Sequence, residues 1–368
     1  MTPLENHLNS LPYIFYFLVV DPYLDISLPD LSNFISISPQ KLGITLDQKN
    51  SGRLLSHPLC LDFIKKNTPS GFVPAIIPFK PSPKIDLICT QNNWVKISNP
   101  SSTNRYFEDK IIFADLLDKQ GISHLPHLIS TFNHQNYHQI QQKFGQHLVI
   151  QTHFGWAGNS SYLSHDFNDI NSKIVDGTPI KASPFFQGIS LINNCCLIDN
   201  QLIQSPPGLQ FTGHPLLTDN PLATVGRQWP SHTPANINQQ LFDITTNFSK
   251  ILSSHKYKGF FGLDFFVSQD KVYLLECNPR LTASFAFYTQ IEQKNQLDPL
   301  FYYHLLSFLP QNFYYPSFDR FNNNLVGAQL TKKNSQGATV EKFEDLVDIC
   351  PTGDPHTISP EYVEKLTK

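Results

Sequence analysis

Residues 259–284 read GFFGLDFFVSQDKVYLLECNPRLTAS, and they place two carboxylates, Asp264 and Glu276, among aromatic and aliphatic residues. Each apolar run has the composition of a β-strand, and a short polar break separates the two runs, so the stretch predicts a hairpin. Burying an ionised carboxylate costs free energy unless a positive group compensates it. The stretch therefore predicts a buried acidic site that needs a positive partner.

The register of this hairpin decides whether the two acids meet. Side chains alternate between the two faces of a strand. A three-residue turn, Gln269-Asp270-Lys271, would place Asp264 opposite Glu276, and such turns are common. Asn278 would then lie one step further along the same face. A direct pairing of the two valines that flank the turn would instead point Glu276 to the other face. We expect the three-residue turn.

In that register, Asp264, Glu276 and Asn278 offer three oxygen ligands on one face. Mg²⁺ prefers such ligands, together with water and substrate phosphates, and Mn²⁺ is a possible substitute. Arg280 extends the same face, where a guanidinium can hold a phosphate or a carboxylate by two parallel hydrogen bonds. The alternative is a surface hairpin whose acids face water; the aromatic residues around Asp264 favour the buried site.

Composition limits the classes of function. The chain has 368 residues, of which 40% are hydrophobic and 15% charged, as expected for a globular protein of two or three domains. The net charge of -3 and the scattered lysines and arginines predict neither a nucleic-acid nor a membrane partner. The six cysteines form no CxxC pair, which disfavours a zinc site and predicts reduced thiols in a cytoplasmic protein.

The spacing of apolar residues predicts the order of elements along the chain. A small α/β layer comes first, with a helix at 59–67 and strands at 13–20, 33–38, 72–79 and 85–89. The apolar run at 13–20 is too short to span a bilayer and lacks the flanks of a signal peptide. Helices are predicted further along the chain, at 108–122, 136–145 and 236–255.

The hairpin resembles the C-terminal signature of the ATP-grasp superfamily, which has an acidic residue in one strand and Glu-x-Asn-x-Arg at the end of the next. The spacing is similar to that in biotin-carboxylase-like members, and the resemblance extends over about residues 104–300. It implies an α/β (α+β) ATP-grasp fold. The implied domains are a preATP-grasp-like α/β domain (1–104), an ATP-grasp domain (105–300, with a flap at about 145–190) and a C-terminal extension (301–368).

Upstream motifs follow in the order of that family. FEDKIIFADLLDKQGISHLPHLI, from residue 107, resembles the segment whose lysine contacts nucleotide phosphate, which implies this role for Lys110. LVIQTHFGWAGNSSYL, from residue 148, resembles the glycine-rich flap over the phosphates and implicates Gly155, Gly158 and Ser160. Many members place a second phosphate-contacting lysine where this chain has Gln151, which can donate a hydrogen bond but carries no charge.

IKASPFFQGIS, from residue 180, occupies the place of the linker that contacts adenine. The resemblance implies that the backbone there binds the base and that apolar side chains such as Phe185 and Phe186 enclose it. The family usually offers a glutamate in this linker, and this chain has Ser183-Pro184.

The resemblance implies an ATP-dependent carboxylate–amine ligase. ATP would phosphorylate a carboxylate to an acyl phosphate, which an amine would attack. Asp264, Glu276 and Asn278 would bind Mg²⁺, and Arg280 would act in catalysis. The partners would be a small-molecule carboxylate and an amine, with an amino acid or peptide as the leading choice, and a homodimer is possible. The alternatives are a non-catalytic or regulatory nucleotide-binding protein, which Gln151 favours, and a small-molecule kinase.

Overall fold

The computed structural model describes residues 1–155, 160–310, 320–321, 324–335 and 338–367. The strands are β1 (Tyr13–Leu18), β2 (Phe34–Ile37), β3 (Val73–Pro78), β4 (Val95–Lys96), β5 (Leu128–Thr131), β6 (Leu148–Gln151), β7 (Ser161–Ser164), β8 (Pro179–Pro184), β9 (Ile189–Ile198), β10 (Gln201–Gln204), β11 (Gly208–Thr212), β12 (Thr224–Trp229), β13 (Gly259–Ser268), β14 (Lys271–Asn278), β15 (Gly327–Lys333) and β16 (Thr339–Asp345).

The helices are α1 (Pro3–Ser10), α2 (Pro39–Leu42), α3 (Ser51–Ser56), α4 (Pro58–Lys66), α5 (Pro83–Asn92), α6 (Ser101–Glu108), α7 (Lys110–Gln120), α8 (His134–Phe144), α9 (Ala235–Ser254), α10 (Phe285–Lys294), α11 (Leu300–Leu306) and α12 (Pro360–Thr367). Short 3-10 turns occur at Pro22–Leu24, Phe167–Asp169 and Pro355–Thr357. None of the helices in the described ranges is long and apolar enough to cross a membrane.

A parallel four-stranded sheet in the order β2-β1-β3-β4 forms the N-terminal layer. Its strands are apolar because helices and the rest of the protein cover both faces. The predicted strands at 13–20, 33–38 and 72–79 are confirmed, as is the helix at 59–67. The order changes direction at β1, so the segments that follow β1 and β3 flank a crevice at the carboxyl ends of the strands.

The predicted strand at 85–89 is wrong, because these residues lie inside helix α5. The helix begins after Ser82, whose hydroxyl accepts a hydrogen bond from the Ile85 backbone N–H at 3.4 Å. Ile85 and Cys89 are one turn apart and are both buried, so the apolar residues follow the helical period.

An antiparallel sheet forms the centre of the molecule, in the order β14-β13-β9-β11-β12-β15-β16 with β10 paired to β9. Helix α9 contributes to the apolar core on one face. Helices α10 and α11 contribute to the core on the other face, which is shared with the N-terminal layer, where Phe17 packs edge-on against Phe285 at 5.5 Å. The late strands β15 and β16 extend this sheet through β12.

A third sheet, in the order β5-β8-β6-β7, is antiparallel throughout. We call it the flap sheet. Ile150, Ile180 and Ala182 face the helix α8 side and are fully buried in a small separate core. Because side chains alternate along a strand, the residues between them, Gln151 and Lys181, lie on the opposite face.

Candidate active site

The hairpin of β13 and β14 is joined by two residues, not three. Gln269 and Asp270 both have positive φ, 50° and 59°, and Ser268 pairs with Lys271. This is the geometry of a tight turn whose twist matches that of the strands. The predicted three-residue turn is therefore wrong.

The two acids nevertheless face each other, because the register shifts along the hairpin. Phe265 pairs with Leu274, and Asp264 pairs with Glu276, which leaves Leu275 as the extra residue of a bulge. The bulge compensates for the missing turn residue. The predicted juxtaposition of Asp264 and Glu276 is present, by a different local route.

Asp264 is held by two amide groups. Gln210 Nε2 donates to Asp264 Oδ1 at 2.6 Å, and Asn278 Nδ2 donates to Oδ2 at 2.8 Å. Burial, followed by the negative charge of Glu276, raises the pKa of Asp264 to about 7. The Asp264 carboxyl thus changes charge near neutral pH.

Lys110 forms an ion pair with Glu276. Burial alone would raise the pKa of Glu276, but the Lys110 ammonium outweighs it and lowers that pKa. Lys110 is only 8% exposed, whereas the Glu276 side chain is 35% exposed. Lys110, which the sequence placed on a nucleotide phosphate, therefore neutralises Glu276 in this structure.

The start of helix α7 fixes the position of Lys110. The Asp109 carboxylate caps the helix by accepting the backbone N–H groups of Ile111 and Ile112, at 3.0 and 3.1 Å. His153 lies 2.7 Å from Asp109 through Nδ1, and its carbonyl accepts the Lys110 backbone N–H at 2.9 Å. The loop after β6 is thereby tied to the helix that carries Lys110.

Arg280 is engaged by three acceptors. Its Nε donates to Glu108 Oε1 at 2.6 Å, Nη1 to the Leu281 carbonyl at 3.0 Å, and Nη2 to Asn278 Oδ1 at 3.0 Å. The Asn278 oxygen thus faces Arg280, while its amide nitrogen faces the acids. In this arrangement Asn278 does not present its oxygen to Asp264 and Glu276, as a metal ligand would.

The glycine-rich loop is described in part. A Cβ on Gly155 would lie 2.0 Å from the Ser160 hydroxyl, so the close approach of the two ends of the loop requires glycine. Ser160 is buried. Gln151 Nε2 donates to Ser161 Oγ at 2.9 Å, within the flap sheet. Gly158, also predicted to contact phosphate, lies outside the described residues.

Phe185 and Phe186 follow directly after β8, on the linker between the flap sheet and the central sheet. Phe185 is 42% exposed, and its backbone N–H donates to the His147 carbonyl at 2.8 Å. That N–H is therefore used inside the protein. The exposed Phe185 ring is the more available part of the residue.

Sequence reasoning missed Lys181 and Glu108. Lys181 is 8% exposed and pairs across the strands with Gln151. Burial, followed by repulsion from Lys110, lowers the pKa of Lys181 to about 8, although Glu276 partly opposes the shift. The alternation of apolar and polar residues in PIKASP, 179–184, was the available signal, but only the strand pairing reveals what lies opposite.

The donor set at the hairpin fits one divalent cation. Two adjacent carboxylates, Asp264 and Glu276, share a single paired ammonium, that of Lys110. Burial and the negative charge of Glu276 raise the pKa of Asp264, so a second positive charge at this position would favour its ionised form. Carboxylates in such a pair suit Mg²⁺.

Divalent-cation binding should weaken as the pH falls from 8 to 6. Only ionised Asp264 binds a cation, and because its pKa is raised to about 7 it becomes protonated over this interval. Glu276 stays ionised there, since its pKa is lowered. We expect the Mn²⁺ affinity, measured by electron paramagnetic resonance of free Mn²⁺, to fall by about tenfold. Asp264→Asn should abolish binding, and Asp115→Asn, at an exposed position, should leave the pH profile unchanged.

One family model matches part of this chain. Residues 107–284 match the ATP-grasp domain model. No curated protein matches the sequence. The fold is similar to that of N5-carboxyaminoimidazole synthetase from Staphylococcus aureus complexed with ADP, with a TM-score of 0.60 and 12% identity over 87% of this chain and 82% of that chain.

Two further solved structures agree. N5-carboxyaminoimidazole synthase from Aspergillus clavatus, with ADP and 5-aminoimidazole ribonucleotide, has a TM-score of 0.60 and 14% identity over 87% of this chain and 82% of that chain. The biotin carboxylase domain of Hydrogenobacter thermophilus 2-oxoglutarate carboxylase, with MgADP and bicarbonate, has a TM-score of 0.60 and 10% identity over 86% and 74%. Residues 107–284 of this chain thus match the ATP-grasp domain, and the chain has the ATP-grasp fold that its sequence predicted.

Proposed function

We propose that this protein is an ATP-dependent ligase. ATP transfers its terminal phosphoryl group to the carboxylate of a small molecule, and an amine then displaces phosphate to form a C–N bond, with ADP and phosphate as the other products. The pairing of Asp264 with Glu276 beside Lys110, within an ATP-grasp domain, is the observation that carries the proposal. Similar structures solved with ADP, and one with MgADP and bicarbonate, support it.

The residues at the hairpin address one physical problem, which is to bring two anions together. Mg²⁺, held by Asp264 and Glu276, would neutralise charge on the phosphates. Burial alone would lower the pKa of Lys110, but the attraction of Glu276 outweighs it and raises that pKa, so Lys110 carries its proton at neutral pH. Once another cation neutralises Glu276, the Lys110 ammonium is free to contact a phosphate oxygen.

Arg280 is our proposed catalytic arginine. Its contacts to Glu108, Leu281 and Asn278 use three of the five N–H groups that a guanidinium carries. The remaining N–H groups can donate to a substrate anion, and the ion pair with Glu108 fixes their direction. Asn278 would join the cation only with its oxygen turned from Arg280 or shared with it, since a carbonyl oxygen has two lone pairs.

We propose that the flap sheet and the loop after strand β6 cover the phosphates. Gly155 lies close against Ser160 after strand β6. A flap in this place would exclude water, which would otherwise hydrolyse the acyl phosphate. Phe185 and Phe186 on the linker would line the adenine pocket. The six cysteines, all buried and free of disulfides, support a reducing, cytoplasmic setting.

Arg227 is our proposed binding residue for the carboxylate substrate. Arg227 lies on β12 opposite Gln210, whose side chain donates a hydrogen bond to Asp264. Gln210 therefore links the proposed substrate site to the proposed metal site. Arg227 is 8% exposed, and its Nε finds no hydrogen-bond partner among the described residues. Tyr23, from the crevice of the N-terminal layer, and Lys333 lie close enough to interact electrostatically with it. We propose that these residues bind the carboxylate of an amino acid or peptide.

Glu276→Gln should abolish ADP release while leaving the protein folded, because the substitution removes a cation ligand and the partner of Lys110. We expect a loss of at least about 100-fold, measured by coupled ADP assay across amino acids, dipeptides and bicarbonate, each with a panel of amines. Glu341→Gln, at an exposed position on β16, is the matched control.

Three results of that assay would count against a ligase. ADP release that persists in Glu276→Gln would show that the proposed metal site is not required for the reaction. ATP binding without turnover under any pairing would favour a non-catalytic nucleotide-binding protein. A stable phosphate ester as the product would indicate a kinase.

Arg227→Gln should raise the KM for the carboxylate substrate by roughly 10- to 100-fold, because a charge-assisted hydrogen bond to it is lost. The KM for ATP should change little, since Arg227 is separated from Lys110 by the two acids. Steady-state kinetics with each substrate varied in turn measures the split. Arg53→Gln, on the N-terminal layer, is the control, and an equal rise in both KM values would contradict the assignment.

A further inference from the structure

Lys181 occupies an unusual position on the flap sheet. Its neighbours along β8, Ile180 and Ala182, are fully buried on the helix α8 side. The Lys181 side chain therefore lies on the other face, toward the start of α7 and the acidic hairpin. Its electrostatic neighbours agree with this direction, since Lys110 and Glu276 are the charged groups that act on it.

No hydrogen bond or ion pair joins the Lys181 ammonium to any residue within the described ranges, although the residue is only 8% exposed. Lys110 has the same exposure but is paired with Glu276. Burial of the Lys181 side chain, followed by repulsion from Lys110, disfavours the charged form and lowers the pKa of Lys181 to about 8. The cleft therefore contains a largely buried lysine that forms no ion pair with the described residues.

The row of residues across the flap sheet shows where this charge lies. Ser161 pairs with Gln151, and Gln151 pairs with Lys181, so the three side chains share one face. Gln151 is neutral, and its amide is already bonded to Ser161. Of the three residues in this row, only Lys181 carries a positive charge with which to bind an anion.

We propose that Lys181 binds the phosphate tail of the nucleotide, together with Lys110, and so supplies from β8 the charge that Gln151 does not supply from β6. The ligand class is a nucleoside di- or triphosphate. This inference rests on the proposed function and names a further binding residue at the same site. It also accounts for the unpaired charge, because a phosphate oxygen would be its missing partner.

Lys181→Met tests the assignment through binding rather than turnover. By titration calorimetry with ADP and Mg²⁺, we expect the affinity to fall roughly 10- to 100-fold, the effect of one charge-assisted hydrogen bond. The melting temperature of the nucleotide-free variant should be equal to or higher than that of the wild type, because an unpaired buried charge is removed. Lys173→Gln, which removes an exposed lysine near the same sheet, should change neither quantity.

A double variant, Gln151→Lys with Lys181→Met, returns the charge to the row and should recover most of the affinity. If Lys181→Met does not fold, Lys181→Gln, which keeps a polar side chain, carries the same expectation. Unchanged ADP affinity in the single variant would overturn the inference and leave the proposed function standing. A loss that the double variant does not recover would also overturn it, since the loss would then be structural. Failure of the wild type to bind ADP would overturn the proposed function itself.

Discussion

The structure depends on the balance of charge at one cross-strand pair, Asp264 and Glu276. Residues paired in this way have Cβ atoms about 5 Å apart, and at such a separation two like charges repel by roughly 3 kcal/mol near a protein surface. Lys110 neutralises one acid, and amide donors stabilise the other. Burial, together with the negative charge of Glu276, still raises the pKa of Asp264. A pair of carboxylates that is only partly neutralised is suited to bind a divalent cation together with the phosphate that the cation carries.

The fold holds this pair in place through ties between distant segments. Glu108, at the end of α6, forms two ion pairs through its carboxylate oxygens. One is with Arg280 Nε from the segment after β14 and the other is with Lys80 Nζ from the segment after β3, at 2.6 Å each. Burial alone would raise the pKa of Glu108, but these two cations outweigh it and lower that pKa. The N-terminal layer, the junction of helices α6 and α7, and the segment after the acidic hairpin thus meet at one carboxylate.

The sequence predicted the meeting of the two acids correctly but gave the wrong local reason. The alternation of side chains along a strand determines which residues can share a face. It cannot distinguish an extra residue in the turn from an extra residue in a bulge, and the structure has the bulge, at Leu275. The error at 85–89 has a similar origin, since a short apolar run fits a buried strand as well as a helix. Lys181 was missed because its importance comes from its neighbour across the sheet, Gln151, and cross-strand pairing is not visible in a single sequence.

The free structure and the proposed reaction differ in the partner of Lys110, and that difference is open to direct observation. A crystal structure with a non-hydrolysable ATP analogue and Mn²⁺, with anomalous scattering used to locate the metal, tests the central claim. The account predicts an anomalous peak coordinated by Asp264 and Glu276, with the Lys110 ammonium moved to a phosphate oxygen. Nucleotide bound elsewhere, with Lys110 still paired to Glu276 and no metal between the acids, would contradict it.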